Sequence, residues 1–345
     1  MKQNILKCAL WGILFALAAA QAGAQAQPAW TNNGASPRFP AQTHLAAVGR
    51  GNSQQNADAD AIAGIARIFS VSARVSTQLA ESYREIVRNG VARSFGQTDM
   101  LNVIELATDV ENLVAVSIGE RWNDGRGNFV ALAVMDKSAA ILLYEERIRA
   151  NQAVIRGLTT MSASERNTFD GFARYRVAAV FADMNVAIGE MLFVLGHVPW
   201  DPIPRGEQYM REALDIRSAI TIGVNIRNGN DRGAVVRDNF TRVFSEAGFR
   251  TGGASPRYML NVDFSNLQNS QNPQGFVFTV MELSASLADT NTGAVLLPFN
   301  LNFRGRGALT VPDAENFALR EAGDRILSEY AARLSEYLAR LTPRL

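Results

Sequence analysis

A single cysteine, Cys8, stands in the whole chain, and it lies inside an apolar run at the N-terminus. Everything after it must fold without a disulfide, and without a thiolate nucleophile or metal ligand. Hydrophobic burial alone has to close the core. Lys2 and Lys7 precede or open the run, which extends from Cys8 to Ala20 through Leu10, Trp11, Ile13, Leu14, Phe15 and Leu17. Small residues follow, Ala22-Gly23-Ala24 and Ala24-Gln25-Ala26. This three-part order is that of a secretory leader, so residues 1–26 are expected to be removed, with the cut between Ala24 and Gln27. The run is shorter than the ~20 residues of a permanent span. A lipid-bearing cysteine would follow the apolar stretch, whereas Cys8 precedes most of it, so no lipid anchor is expected.

About 320 residues then remain, enough for two domains. The hydrophobic fraction is 47%, that of a globular chain. No later segment reads as long and apolar enough to cross a bilayer. Without Lys2 and Lys7 the cations fall one short of the acids, so no concentrated basic face is expected and nucleic acid is not an expected partner. Lys137 is the one lysine beyond the leader. Guanidinium groups suit carboxylate or phosphate partners, but genomic composition explains the arginine bias more simply.

Periodicity supplies the order of elements. Residues 27–44 carry Pro28, Gly34, Pro37 and Pro40 and read as irregular. Leu45–Val48 reads as a strand, Ala57–Ile68 as a helix and Ile68–Val75 as a half-buried strand. Strands are also expected at Met100–Leu106, Val114–Trp122 and Phe129–Met135, the last two joined by the turn Asn123–Asn128. Two long helices follow, Asp136–Arg156 and one opening on the capping box Ser162/Glu165 and continuing to Leu195. They form an expected antiparallel hairpin. Pro199, Pro202 and Pro204 mark a domain junction. Beyond it the order reads β-α-β-β-β-α: a helix over Glu207–Ile216, strands at Ile220–Ile226, Tyr258–Phe264, Phe276–Leu287 and Val295–Phe303, helices at Ala234–Ala247 and Asn316–Leu341, and a loop over the polar stretch Ser265–Gln274. The expected fold class is α+β, with two domains, 27–199 and 205–345. Each is a small mixed or antiparallel sheet packed by helices, the first with a long helical hairpin.

Few residues invite chemistry. His44 and His197 are the two histidines, far apart in sequence, and no nucleophile turn of the G-x-S-x-G kind occurs. Gly49-Arg50-Gly51 sits where a phosphate loop could, but Gln54 replaces the third glycine, and a tight strand-to-helix turn explains it better. Glu120, Asp124 and Asn128 could offer oxygens to calcium, yet hairpin turns are ordinarily rich in such residues. No catalytic, cofactor-binding or metal residue is therefore assigned. Trp122 is expected to be buried; Trp30 and Trp200 are the candidate partner surface.

The motifs Pro28-Ala29-Trp30, Leu45-Ala46-Ala47-Val48-Gly49, Ile68-Phe69-Ser70-Val71, Glu120-Arg121-Trp122-Asn123-Asp124 and Phe129-Val130-Ala131-Leu132-Ala133 together resemble the LPP-twenty lipoprotein family of bacterial envelopes. The likeness covers roughly residues 28–195. The same module resembles the N-terminal domain of flagellar assembly protein T. In strand order the second domain resembles the α/β unit of the N-terminal domain of TolB, the middle domain of flagellar assembly protein T and lipoprotein activators of penicillin-binding proteins. These resemblances imply envelope proteins that bind or scaffold other envelope proteins, with no enzyme activity and no cofactor. The expectation is thus an exported, periplasmic protein that binds envelope proteins, with self-association and outer-membrane association left open. Two alternatives stay beside it. One is a hydrolase of envelope polymers, needing two convergent carboxylates. The other is a binder of small ligands or glycans in a pocket between hairpin and sheet.

Overall fold

The computed structural model describes residues 27–69, 113–227 and 233–341. The expected leader, the strand expected at Met100–Leu106 and all of the one at Ile68–Val75 beyond Phe69 lie outside these residues; Ile68 itself ends a helix. The chain forms two compact units. The described parts of the first are 27–69, 113–148 and 187–202, and those of the second are 149–186, 203–227 and 233–341. The last crossing between the units falls after Pro202, and the middle of the helical hairpin, residues 149–186, groups with the second unit. Phe169 and Phe172 explain this: both are buried in the second unit's main core.

In the first unit a short helix α1 (Trp30–Asn33) precedes β1 (His44–Gly51), α2 (Gln54–Ile68), β2 (Val116–Asn123) and β3 (Phe129–Asp136). The sheet is antiparallel in the order β1-β3-β2. Central β3 is buried from Val130 to Met135, which is why it reads as a continuous apolar run rather than an alternating one. Val130, Leu132 and Val134 pack with Trp30 on one face, with Phe39, Val48 and Trp122 around them. The alternate residues, Ala131 and Ala133, point to the opposite face, where α2 lies across β1 and β3.

Gly49, paired with Ala131, makes that helix contact close. A Cβ at Gly49 would sit on the main chain of Ala57 and Ala61, and one at Gly51 would come within 2.6 Å of the Ala57 nitrogen. The Gly49-Arg50-Gly51 sequence is thus neither a phosphate loop nor a tight turn. It is strand, with glycine where a helix backbone rests on it. Ser53 starts α2 by accepting from the Asn56 N–H.

The helical hairpin comprises α3 (Lys137–Thr159), a one-turn α4 (Ala163–Arg166) and α5 (Phe169–Val194). Ser162 and Glu165 form the anticipated capping box. The helix does not run on from it, however. The Thr168 hydroxyl donates to the Glu165 carbonyl and accepts from the Gly171 N–H, a second cap that starts α5 afresh. α5 also corrects the expectation that no later segment has the length and apolarity of a membrane span: Phe169–Val194 has both, and 67% of its most apolar window is buried inside the protein.

The second unit continues with α6 (Gly206–Ala219), β4 (Thr221–Arg227), α7 (Gly233–Glu246), β5 (Arg250–Thr251), β6 (Tyr258–Gln271), β7 (Val277–Asp289) and β8 (Val295–Arg304). A C-terminal helix follows as α8 (Val311–Arg325), a π-helical turn (Ile326–Tyr330) and α9 (Ala331–Ala339). The sheet order is β5-β4-β6-β7-β8, parallel from β5 to β6 and antiparallel from β6 to β8, which is the mixed sheet expected. β5 is an additional short edge. β6 does not end at Phe264: it stays paired with β7 to Gln271, through the stretch expected to be a loop. Phe240, Phe244 and Phe299 surround the Tyr330 ring at 5.0–5.8 Å in the main core.

Candidate partner-binding face and cleft

The two candidate tryptophans have opposite fates. Trp30 is 4% exposed, packed on β3, and offers no surface. Trp122 is half-buried against the same cluster. Trp200 is 55% exposed.

Trp200 is held rather than loose. α5 ends on Gly196, at φ +79°, with the Gly196 and His197 N–H groups donating to the carbonyls of Phe193 and Leu192. That end directs the chain back along α3. There the Glu145 carboxylate, 2% exposed, accepts the Trp200 main-chain N–H at 2.9 Å and lies 3.0 Å from His197 Nε2. The Trp200 ring meets the His197 ring edge-on at 5.9 Å. A buried carboxylate needs partners, and these two supply them. The same unit also exposes Phe193 (76%), Val198 (73%), Val194, Leu142 and Leu143. Sequence reasoning missed Glu145, Phe193 and Val198. The usable signal was apolar Phe193-Val194 continuing past the buried Leu192 to the helix end.

The other residues singled out from sequence have structural roles. Asp124 accepts from the N–H groups of Arg126 and Asn128 and from the Asn128 side chain, which hold its carboxyl below the usual carboxylate range. Glu120 accepts instead from Ser36. Asp124 and Asn128 are thus engaged with each other and Glu120 elsewhere, and no cluster of three metal-ligating side chains occurs among the described residues. His44 Nδ1 meets the Thr43 hydroxyl at 2.9 Å, and its ring packs edge-on against Phe39.

The second unit holds a cleft of about 490 Å³ where the start of α5, the start of β6, the β7–β8 turn and the end of α9 converge. Its apolar side is a Phe169–Tyr258 stack, ring centroids 4.1 Å apart, with Tyr337 edge-on to Phe169 at 5.8 Å. The Tyr258 hydroxyl accepts the Phe169 N–H, and burial raises its pKa. Its polar lip is the β7–β8 turn. Asp289 binds the Arg257 guanidinium with both oxygens, at 3.0 and 2.9 Å, and accepts the N–H groups of Asn291 and Thr292. Of the other two lining carboxylates, Asp170 pairs with Arg174 at 2.8 Å and Glu165 accepts from Ser162.

No curated protein matches the chain. Among solved structures, the secreted protein HP1454 of Helicobacter pylori is similar over 83% of this chain and 98% of its own, at 12% identity and a TM-score of 0.36. A minor lipoprotein of Acinetobacter baumannii is similar over 35% of this chain and 92% of its own, at 13% identity and a TM-score of 0.25. The PelC dodecamer of Paraburkholderia phytofirmans is similar over 37% and 91%, at 18% identity and a TM-score of 0.25. No residue role follows from likenesses this distant. In sequence, residues 28–136, the stretch that carries the motifs from Pro28 to Ala133, match the LPP20 lipoprotein family.

Proposed function

We propose that this protein is an exported, non-enzymatic component of the bacterial envelope, working in the periplasm, that binds another envelope protein through the face around Trp200. The fixed Trp200 carries the proposal. Binding hot spots are enriched in tryptophan, and an anchor already rigid in the free protein loses little entropy on association. Glu145 supplies that rigidity from inside the unit, while Val198, two residues before Trp200, and Phe193 add exposed apolar area on the same unit. The leader and the lipoprotein-family match over residues 28–136 support the export.

The test is a photo-crosslinking residue placed at position 200 of the full chain in intact cells, with position 295, on the other unit, as control. Val295 is equally exposed and apolar. A discrete protein adduct at 200 and none at 295 is the expected result. Equal labelling at both positions, or an adduct to lipid alone, would overturn the proposal.

A further inference from the structure

We infer that the cleft of the second unit is a binding site for a neutral glycan, one or two pyranose rings long. The cleft, at about 490 Å³, falls within the ~300–1,000 Å³ of small-molecule sites. Most of its charges are already paired from within. Both Asp289 oxygens are taken by the Arg257 fork and two main-chain N–H groups. Asp170 is paired with Arg174, and Glu165 turns its carboxylate to the Ser162 capping box. A phosphate would have to pull Arg257 off Asp289, and an ammonium would compete with two guanidinium groups. Glu165 alone among the lining carboxylates has no guanidinium bond, but it is exposed to solvent and held by Ser162, so neither ion is offered a buried counter-charge.

What remains on offer is divided in two. One wall is aromatic and aliphatic: half-buried Tyr337 and Leu341 give it its surface, supported by Phe169 and Tyr258, each 3% exposed. The facing lip is hydrogen-bonding, and there the side-chain amide of Asn291 is exposed, with no bond to another described residue. A pyranose has the matching division: a C–H face that packs on aromatic rings, and a hydroxyl edge that an amide can bind through both its oxygen and its nitrogen. The lip is preorganised. Asp289 fixes the turn, and the Thr290 hydroxyl ties it to the carbonyls of Pro256 and Arg257. A fixed lip keeps the entropic cost of binding small.

The experiment is saturation-transfer NMR and calorimetric titration of the full chain with N,N′-diacetylchitobiose and with cellobiose. Saturable binding of at least one sugar is expected. Tyr337→Ala and Asn291→Ala should each weaken it by roughly tenfold, about 1.4 kcal/mol. Asn291 lies on an exposed turn, so Asn291→Ala keeps the test decisive if Tyr337→Ala unfolds the unit. Preference for the chitobiose points to an acetamido-sugar polymer as the source, and equal affinity to a plain hexose polymer. Absence of saturable binding to both sugars, affinity unchanged by Asn291→Ala, or displacement by inorganic phosphate would overturn the inference. Trp200→Ala should leave sugar binding intact, so this inference and the partner-binding proposal fail separately.

Discussion

Asn151 and Asn185 meet across the helical hairpin, the Asn151 Nδ2 donating to the Asn185 Oδ1 at 2.8 Å with both side chains buried. The neighbouring turns are apolar: Ile155 lies four residues beyond Asn151, and Phe181 four residues before Asn185. A buried amide pair in such a layer fixes which turn of one helix faces which turn of the other, because any slip strands polar groups. Asn185→Leu removes the Asn151 acceptor and should destabilise the chain by about 1–3 kcal/mol. Adding Asn151→Leu should recover much of that loss, as read from denaturant titrations of the single and double variants.

Tyr330 gives the opposite sign. Its hydroxyl is buried with no hydrogen-bond partner among the described residues, and burial raises its pKa far above the ordinary phenol value. The ring, by contrast, is fully used against Phe240, Phe244 and Phe299. Tyr330→Phe keeps the ring and removes the orphaned group. It should raise the stability by about 1 kcal/mol, seen as a higher denaturant midpoint with an unchanged slope.

Gly49 should tolerate no side chain. A methyl there meets the main chain of α2, which cannot rotate out of the way as a side chain would. Gly49→Ala is expected to cost at least ~1–3 kcal/mol and to loosen α2 from the sheet. Hydrogen exchange of the α2 amides would report it, with those of α7 in the second unit unaffected.

The ion pair between Asp58 and Arg121 predicts an acid-sensitive first unit. The Arg121 hydrogen bonds hold the Asp58 carboxyl below its ordinary value. A carboxylate depressed in the folded state contributes stability above its unfolded pKa, ~3.9, and that contribution disappears as pH falls through the folded pKa. The pair is partly exposed, so the effect is modest. Asp58→Asn should lower the thermal midpoint at pH 7, and the gap from the unaltered protein should close toward pH 2–3.

The hydrophobic pattern made most elements legible, and where it did not, polar groups had taken over the ordering. β3 and the β2–β3 turn are visible because apolar residues and turn formers mark them. The extension of β6 is not, since residues Gln268–Gln271 are exposed and polar. Main-chain pairing holds them instead, together with Asn269, which accepts from the Thr279 hydroxyl and donates to Glu315 on α8. The break at Thr168 depends on a side chain choosing the backbone over continuing a helix, and periodicity carries no trace of that choice. The burial of Trp30 depends on β3, about a hundred residues away. Nothing local to Trp30 decides it, and the same holds for the anchoring of Trp200 by Glu145.

The first unit is assembled from three separated stretches, the last of them ending at Pro202. A polypeptide emerging N-terminus first therefore exposes Trp30, β1 and α2 long before Glu145 can receive the Trp200 N–H. The sheet can pair once Asp136 has emerged, but until residue 202 has cleared the ribosome or a translocation pore Glu145 lacks His197 and Trp200, and that part of the unit stays open to chaperones. Truncations that stop short of Ala187 should yield chains that such holdases retain, whereas the second unit waits only for its own C-terminal helix.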